Sequence, residues 1–153
     1  MNATRITLDS NILHYAFDTF DISKQQKALA ILAAVTQIDC PLGLQAIGEF
    51  FVSITRKAKM TRADAQSEVT KFLAGFEVFQ ATANAHRTAA HEAAAGHFSY
   101  WDAVLLASAA EAGCTICFSE DMRDGARLGH LIVRNPFSAK GLSPMARAAL
   151  GMK

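Results

Sequence analysis

Short apolar segments alternate with helix-length segments along most of this 153-residue chain. The strand-like segments fall at residues 5–8, 41–44, 76–79, 115–118 and 130–133, and helical spacing or capping patterns mark residues 23–35, 47–58, 61–75, 82–95 and 99–112. Ser23 and Gln26 form the predicted capping box of the first of these helices. Because strands alternate with helices, the sequence predicts an α/β fold with a mostly parallel central sheet of four to five strands flanked by helices.

The length and composition favour a single globular domain. Hydrophobic residues make up 51% of the chain and charged residues 19%, which excludes the disordered and fibrous classes. The longest apolar run, residues 28–35, is too short to span a bilayer, and the N-terminal segment lacks the apolar region of a signal peptide. We therefore expect a cytoplasmic protein with no membrane partner. The net charge of +1 excludes neither RNA nor a protein as a partner.

The three cysteines do not form a recognisable metal site. Cys114 and Cys117 lie in a C-T-I-C segment, and neither a second pair nor histidines at matching spacing follow it. Positions three apart on a strand point to opposite faces of a sheet, so the two thiols are not expected to share a ligand. We expect Cys40, Cys114 and Cys117 to be reduced structural thiols.

Four acidic residues stand next to predicted strands or at helix positions from which they can meet. They are Asp9, Glu49, Asp102 and Asp121. Asp9 follows the first strand and Asp121 the fourth, and sites in parallel sheets form outside the carboxyl ends of strands. Each acid also has an ordinary structural interpretation. Asp9 can cap a helix, Asp102 can complete a capping box with Ser99, Asp121 can stabilise a turn, and Glu49 can face solvent. Taken singly, these structural roles are the simpler interpretation.

Five motifs follow one another in order from about Thr4 to Phe137. They are L-D-S-N-I-L at residues 8–13, I-G-E-F-F at 47–51, S-Y-W-D-A-V-L-L-A-S-A at 99–109, F-S-E-D-M-R-D-G at 118–125 and V-R-N-P-F at 133–137. Together they resemble the PIN-domain family and, within it, the VapC-type ribonuclease toxins of type II toxin–antitoxin systems. The resemblance implies a three-layer, Rossmann-like PIN domain over residues 1–137. Residues 138–153 are then a C-terminal tail, expected to be poorly structured apart from a short helix near residues 145–150.

The resemblance also implies a catalytic site. The family's four acids fall on Asp9, Glu49, Asp102 and Asp121, which would bind Mg²⁺ (or Mn²⁺) and carry catalysis, and its supporting polar positions fall on Asn11 and Ser119. Hard oxygen ligands favour these ions over Zn²⁺. Ser10 and Ser119 depart from the pattern, since threonine is more usual at both positions. The implied activity is metal-dependent endoribonuclease cleavage that leaves a 5′-phosphate and a 3′-hydroxyl.

The implied partners are an RNA substrate, a cognate antitoxin protein and a second copy of the chain in a homodimer. The RNA is a transfer RNA, a ribosomal RNA loop or a messenger RNA. The candidate RNA-binding residues are Arg56, Lys57 and Arg123, with Lys59, Arg62 and Arg127 nearby in the sequence. For the cluster at residues 56–62, a solvated helix end that complements the helix dipole is an equal alternative. Tyr100 or Trp101 can stack on a base, although we expect Trp101 to be buried.

Other functions remain open at this point. An aspartate-nucleophile phosphatase requires a second acid two residues after the nucleophile, and Asn11 occupies that position after Asp9. A catalytically inactive PIN-fold module that binds RNA or protein has the same fold without turnover. A metal-stabilised domain that only pairs with a partner protein is a third alternative. An RNA cleavage assay with and without EDTA separates these functions.

Overall fold

The computed structural model describes residues 4–153, so residues 1–3 of the expected domain lie outside the described residues. The strands are β1 (Ile6–Leu8), β2 (Leu42–Gly43), β3 (Val78–Phe79), β4 (Ile116–Phe118), β5 (Arg127–Leu128), β6 (Leu131–Arg134), β7 (Phe137–Ser138) and β8 (Gly141–Leu142). The helices are α1 (Ser10–Phe17), α2 (Ile22–Val35), α3 (Leu44–Arg56), α4 (Arg62–Gly75), α5 (Ala83–Ala94), α6 (Tyr100–Glu111) and α7 (Pro144–Ala149). None of the helices in residues 4–153 is both long and apolar enough to cross a bilayer.

The central sheet has four strands in the order β1-β4-β6-β5. β1 pairs in parallel with β4, β4 pairs in parallel with β6, and β5 is an antiparallel edge strand. β2 and β3 form a separate parallel pair beside β1, where the Ile6 N–H donates to the Asp39 carbonyl at 3.2 Å and the Thr7 hydroxyl donates to the Pro41 carbonyl at 2.8 Å. The predicted mostly parallel sheet is therefore confirmed. Its parallel strands bring the ends of β1 and β4 to the same edge.

Helices cover both faces of the sheet and form two hydrophobic clusters. Phe118 packs in one cluster with residues of α1, α2, α3 and α4. The preceding residue, Cys117, packs in the other cluster with α5 and α6. Adjacent strand residues point to opposite faces, so this division is what a sheet between two helical layers requires.

The first two helices differ from the prediction. No helix is predicted over residues 10–17, although Asp9 is a candidate cap. α1 occupies these residues, and Asp9 caps it by accepting a hydrogen bond from the Ser10 N–H at 2.7 Å. α2 is capped by Asp21, which accepts from the Lys24 N–H at 3.0 Å, so the predicted capping box at Ser23 is wrong. The antiparallel strand β5 was also not predicted.

The C-terminal segment is more ordered than we expected. A hairpin of β7 and β8 precedes α7, and Lys27 of α2 donates to the Ser138 carbonyl at 2.8 Å. Ala146 and Leu150 are buried in the same hydrophobic cluster as α1 to α4. The segment therefore completes one of the two helical layers.

The three cysteines are free and buried. Cys114 precedes β4, so the argument from strand alternation does not apply to it, and it lies in the same hydrophobic cluster as Cys117. Burial raises the pKa of the Cys40 thiol to about 12 and that of Cys114 to about 11. Burial likewise raises the pKa of Cys117. The thiols are therefore protonated packing groups near neutral pH.

Candidate active site

Asp9 lies at the carboxyl end of β1, where the next strand of the sheet supplies its partners. Its N–H donates to the Phe118 carbonyl at 2.9 Å. Its Oδ2 atom accepts from the Ser119 hydroxyl at 2.8 Å and from the Asn11 amide at 3.2 Å. Only 5% of Asp9 is exposed, so these bonds fix the orientation of a buried carboxylate.

Ser119 also shapes the turn that carries Asp121. Its Oγ atom accepts from the Asn11 amide at 3.2 Å and from the N–H groups of Asp121 and Met122 at 3.2 and 3.4 Å. Because a hydroxyl has one proton, which Ser119 gives to Asp9, its lone pairs are available for these donors. Asn11 and Ser119 therefore both contact Asp9, and Ser119 also contacts the loop after β4.

Glu49 is exposed on α3 and reaches the turn after β1. Its Oε2 atom accepts from the Ser10 hydroxyl at 3.0 Å, and its Oε1 atom accepts from the Gln45 amide at 2.7 Å. The Ser10 contact places Glu49 one residue from Asp9. The sequence analysis missed both Ser10 and Gln45 as contacts of Glu49. For Gln45 the available signal was its position one helical turn before Glu49.

Asp102 is partly exposed in the first turn of α6, and its N–H donates to the Ser99 hydroxyl at 3.3 Å. Ser99 therefore caps α6 through the backbone N–H of Asp102, as the capping interpretation requires. The Asp102 carboxylate also acts on Asp9. Burial raises the pKa of Asp9 to about 6, repulsion by Glu49 and Asp102 adds to this rise, and the hydrogen bonds from Ser119 and Ser10 oppose it. Asp9, Glu49 and Asp102 thus lie within electrostatic reach of one another.

Asp121 is exposed and lines a cleft together with Ser10, Asn11 and Lys57. Within residues 4–153, its carboxylate accepts no hydrogen bond. The neighbouring Glu120 is held differently, because its Oε1 atom accepts from Lys24 at 2.7 Å and Tyr15 at 2.8 Å. Among residues 4–153, the turn after β4 therefore carries Glu120, which forms an ion pair with Lys24, and Asp121, which forms none.

The carboxylates do not form a ready-made metal cage. No group of three or more histidine, cysteine, aspartate or glutamate side chains in the described part of the chain can hold a metal ion as it stands. The donor chemistry nevertheless fits a hard divalent cation, since every candidate ligand is a carboxylate oxygen. Glu49 and Asp121 are exposed, so their side chains can change rotamer toward Asp9. The pKa of Asp9 is raised mainly by burial, and repulsion by Glu49 and Asp102 adds a smaller contribution of the sign that a bound cation would oppose.

The basic candidates line two different depressions. Arg56 ends α3 and Lys57 is its C-cap, and both are exposed. Lys57 lines the same cleft as Asp121. Arg123 is exposed two residues after Asp121 and lines another depression together with Arg127.

Trp101 is not buried. It is 61% exposed, so the prediction of burial is wrong. The reason is its position in the first turn of α6, before the run of buried residues that begins at Ala103. Its carbonyl accepts a hydrogen bond at 2.9 Å from the Gln45 amide, which also donates to Glu49. The side chain is therefore exposed to solvent, and its backbone is joined through Gln45 to Glu49.

Solved structures with a similar fold come from several organisms. Mycobacterium tuberculosis VapC20, a sarcin–ricin loop cleaving toxin, has a TM-score of 0.64 and 16% identity, with 76% of this chain and 89% of that chain covered. The Rickettsia felis VapBC2 structure, bound to a DNA fragment from its promoter, has a TM-score of 0.61 and 15% identity, with 86% of this chain and 98% of that chain covered. FitAcB from Neisseria gonorrhoeae has a TM-score of 0.60 and 15% identity, with 86% of this chain and 97% of that chain covered.

These identities show a shared fold and no more. The chain matches no curated protein sequence. The family model of the PIN domain, in contrast, matches residues 6–128, which include every acid discussed above. This chain therefore belongs to the PIN-domain family.

Proposed function

We propose that this chain is a Mg²⁺- or Mn²⁺-dependent endoribonuclease and the toxin of a type II toxin–antitoxin pair. The observation that carries the proposal is the position of Asp9. It is buried at the edge of the sheet, oriented by Ser119 and Asn11, and repelled by Glu49 and Asp102. A structural cap does not require additional negative charges around it. A site for a divalent cation does.

The four acids have different roles in this proposal. Asp9 would be the fixed ligand, because its orientation is set by hydrogen bonds, and Glu49, Asp102 and Asp121 would complete the site. A bound divalent ion would lower the pKa of the attacking water and compensate the negative charge of the phosphate. Asn11 and Ser119 would be positioning residues, since they reach the site only through Asp9 and the loop of Asp121.

RNA would approach through the basic residues around the acids. Arg56 and Lys57 lie at the end of α3, Arg123 follows Asp121 in the loop after β4, and all three are exposed and could contact phosphate. These cations would attract the RNA backbone without reading its sequence. Their removal is expected to raise KM more than it lowers kcat.

A cognate antitoxin would inhibit by neutralising the same acids. An arginine from the partner can form paired hydrogen bonds with carboxylates and compete with the metal ion. The similar structure of VapBC2 from Rickettsia felis is bound to a DNA fragment from its promoter, and this likeness supports an antitoxin partner for this chain. A homodimer and a cytoplasmic location belong to the same proposal.

The deciding experiment is RNA cleavage by the purified chain with Mg²⁺ or Mn²⁺ and with excess EDTA. We expect cleavage that requires the metal and leaves a 5′-phosphate. Undiminished cleavage in EDTA rules out the metal mechanism.

An inactive binding module is the second candidate. It is favoured by the finding that no three potential ligands in residues 4–153 can hold a metal ion as they stand. RNA or protein binding without turnover under every metal condition would establish it.

A further inference from the structure

We propose that an unpaired base of the RNA substrate stacks on Trp101. This inference rests on the proposed ribonuclease function and specifies its substrate as RNA with an unstacked nucleotide beside the cleaved bond. Trp101 forms an aromatic platform together with His86 of α5 and Tyr100 of α6. Tyr100 and Trp101 directly precede Asp102 in the sequence.

The geometry of the platform leaves the indole of Trp101 available. The Tyr100 ring lies 5.3 Å from it at an angle of 86°, and the His86 ring lies 6.0 Å from it at 88°. Because both neighbouring rings are nearly perpendicular to the indole, neither stacks flat on it. His86 and Tyr100 are joined by a 2.7 Å hydrogen bond, which holds the two supporting rings in place. The result is a fixed aromatic side chain that is 61% exposed.

The platform is attached to the same frame as the acids. The Gln45 amide donates to the Trp101 carbonyl at 2.9 Å and to the Glu49 carboxylate at 2.7 Å. Asp102 follows Trp101, so their Cα atoms are about 3.8 Å apart. Consecutive side chains of a helix point about 100° apart, so the indole and the Asp102 carboxylate leave neighbouring faces of α6. A nucleotide whose phosphate reaches the acids can extend its own base or the adjacent base toward the indole.

The chemistry of the platform favours a base over another protein surface. Every nucleobase has a π-face, so stacking on tryptophan tolerates any sequence. The base must be unpaired, because a base inside a duplex is already stacked on its neighbours. The imidazole of His86 and the hydroxyl of Tyr100 give the platform polar edges, whereas the centre of a protein–protein interface is predominantly apolar. A second copy of the chain is the competing occupant.

Trp101 is the only tryptophan of the chain, so its fluorescence reports on the platform directly. The probe is a short single-stranded RNA, added with Mg²⁺ to the full chain carrying Asp121→Asn to slow cleavage. We expect saturable quenching of the emission. Quenching should be absent with a perfect RNA duplex, and it should weaken when one nucleotide of the single strand is made abasic.

Steady-state cleavage of the same single-stranded RNA provides the second measurement. We expect Trp101→Ala to raise KM about 10-fold with little change in kcat, because stacking stabilises bound substrate and transition state alike. Trp101→Phe should retain most of the affinity. Phe20→Ala is the matched control, since Phe20 is 73% exposed in the connection between α1 and α2.

The outcomes separate this inference from the proposed function. RNA cleavage by the wild type together with an unchanged KM in Trp101→Ala and no quenching would overturn the platform and leave the nuclease intact. Saturable quenching without cleavage would support the platform and overturn the nuclease. An emission that changes with protein concentration in the absence of RNA, together with dissociation of an oligomer in Trp101→Ala, would assign the surface to a second copy.

Discussion

Asp102 and Asp64 occupy equivalent positions in two helices. Each lies three residues after the N-cap, and each N–H donates to the cap hydroxyl, at 3.3 Å for Ser99 and 3.1 Å for Thr61. Asp102 is among the charges that raise the pKa of Asp9, whereas Asp64 lies at the start of α4. Comparing variants of the two residues therefore distinguishes the capping role of an aspartate from a role in the proposed site.

We expect Asp102→Asn to reduce RNA cleavage by on the order of 10²-fold or more, because one carboxylate beside the metal is lost. Its melting temperature without metal should be unchanged or higher, since repulsion of Asp9 is relieved. Asp64→Asn should cleave normally and lose about 1 kcal/mol of stability or less. Thermal melting and cleavage are measured on both variants. An Asp102→Asn protein that melts lower and cleaves normally would assign Asp102 to the cap alone.

The buried thiols give a prediction about pH. The folded-state pKa values of Cys40, about 12, and Cys114, about 11, lie above the ordinary value of 9.0. Protonated thiols therefore contribute stability that is fully present below pH 9 and is lost as the pH rises toward 11 to 12. At pH 8 we expect a disulfide reagent to label the native protein far more slowly than the unfolded chain. Rapid labelling of all three cysteines in the native protein would contradict their burial.

At the scale of secondary structure, the sequence predicted the elements that have a periodic pattern or a standard cap. α4, α5 and α6 begin at the caps Thr61, Thr82 and Ser99, close to the predicted boundaries. α1 was missed although Asp9 was a candidate cap, because its eight residues are too few to show a clear helical repeat. β5 was missed because a two-residue edge strand is defined by its partner β6 and not by its own pattern.

The sequence predicted the candidate site as a set of acids with supporting polar residues at Asn11 and Ser119, and not as a set of contacts between helices. The order of the motifs indicated Asp9, Glu49, Asp102 and Asp121, but nothing in the spacing indicated that Gln45 joins α3 to Trp101. The exposure of Trp101 was not predicted either. Such contacts depend on how helices pack together, which local sequence patterns do not encode.

The C-terminal segment gives a prediction at the same scale. Leu150 follows α7 and is 4% exposed in the core, whereas Leu73 of α4 is 46% exposed. We expect Leu150→Ala to lower the free energy of unfolding by about 2–4 kcal/mol, because it leaves a cavity, and Leu73→Ala to lower it by less than about 1 kcal/mol. Urea denaturation measures both. Equal losses would show that the segment contributes nothing to the core.

For the molecule as a whole, the two ends of the sheet differ in how charge is compensated. At the amino end of β1, Arg5 forms ion pairs with Asp39 at 2.6 Å and Glu77 at 2.9 Å. At the carboxyl end, Asp9, Glu49, Asp102 and Asp121 form no ion pair with a cation of the described residues. A divalent cation is therefore expected to stabilise the folded protein by binding at the carboxyl end of the sheet.

We expect added Mg²⁺ or Mn²⁺ to raise the melting temperature of the wild type by about 2 °C or more, because an ion that binds the folded state stabilises it by mass action. Asp102→Asn should lose most of this shift. Glu77→Gln changes a carboxylate at the opposite end of the sheet and should keep it. A full shift in Asp102→Asn would place the ion elsewhere.

Growth is the corresponding measurement in the cell. Expression of the chain alone is expected to arrest growth, whereas expression of Asp102→Asn is not. Co-expression of the antitoxin, a small protein encoded next to this chain, should relieve the arrest. Harmless expression of folded wild type would contradict the toxin assignment and leave the nuclease assignment untouched.

The hydrogen bond between Ser119 and Asp9 joins residues separated by 110 positions. During translation, Asp9 leaves the ribosome roughly 5 to 20 s before Ser119 at ~5–20 residues per second. Until then β1 has no β4 to pair with, and the four acids cannot come together at the edge of the sheet. Under the proposed function, a nascent chain would therefore not cut the messenger or the ribosome that is producing it, and cleavage would begin only when most of the protein has been synthesised.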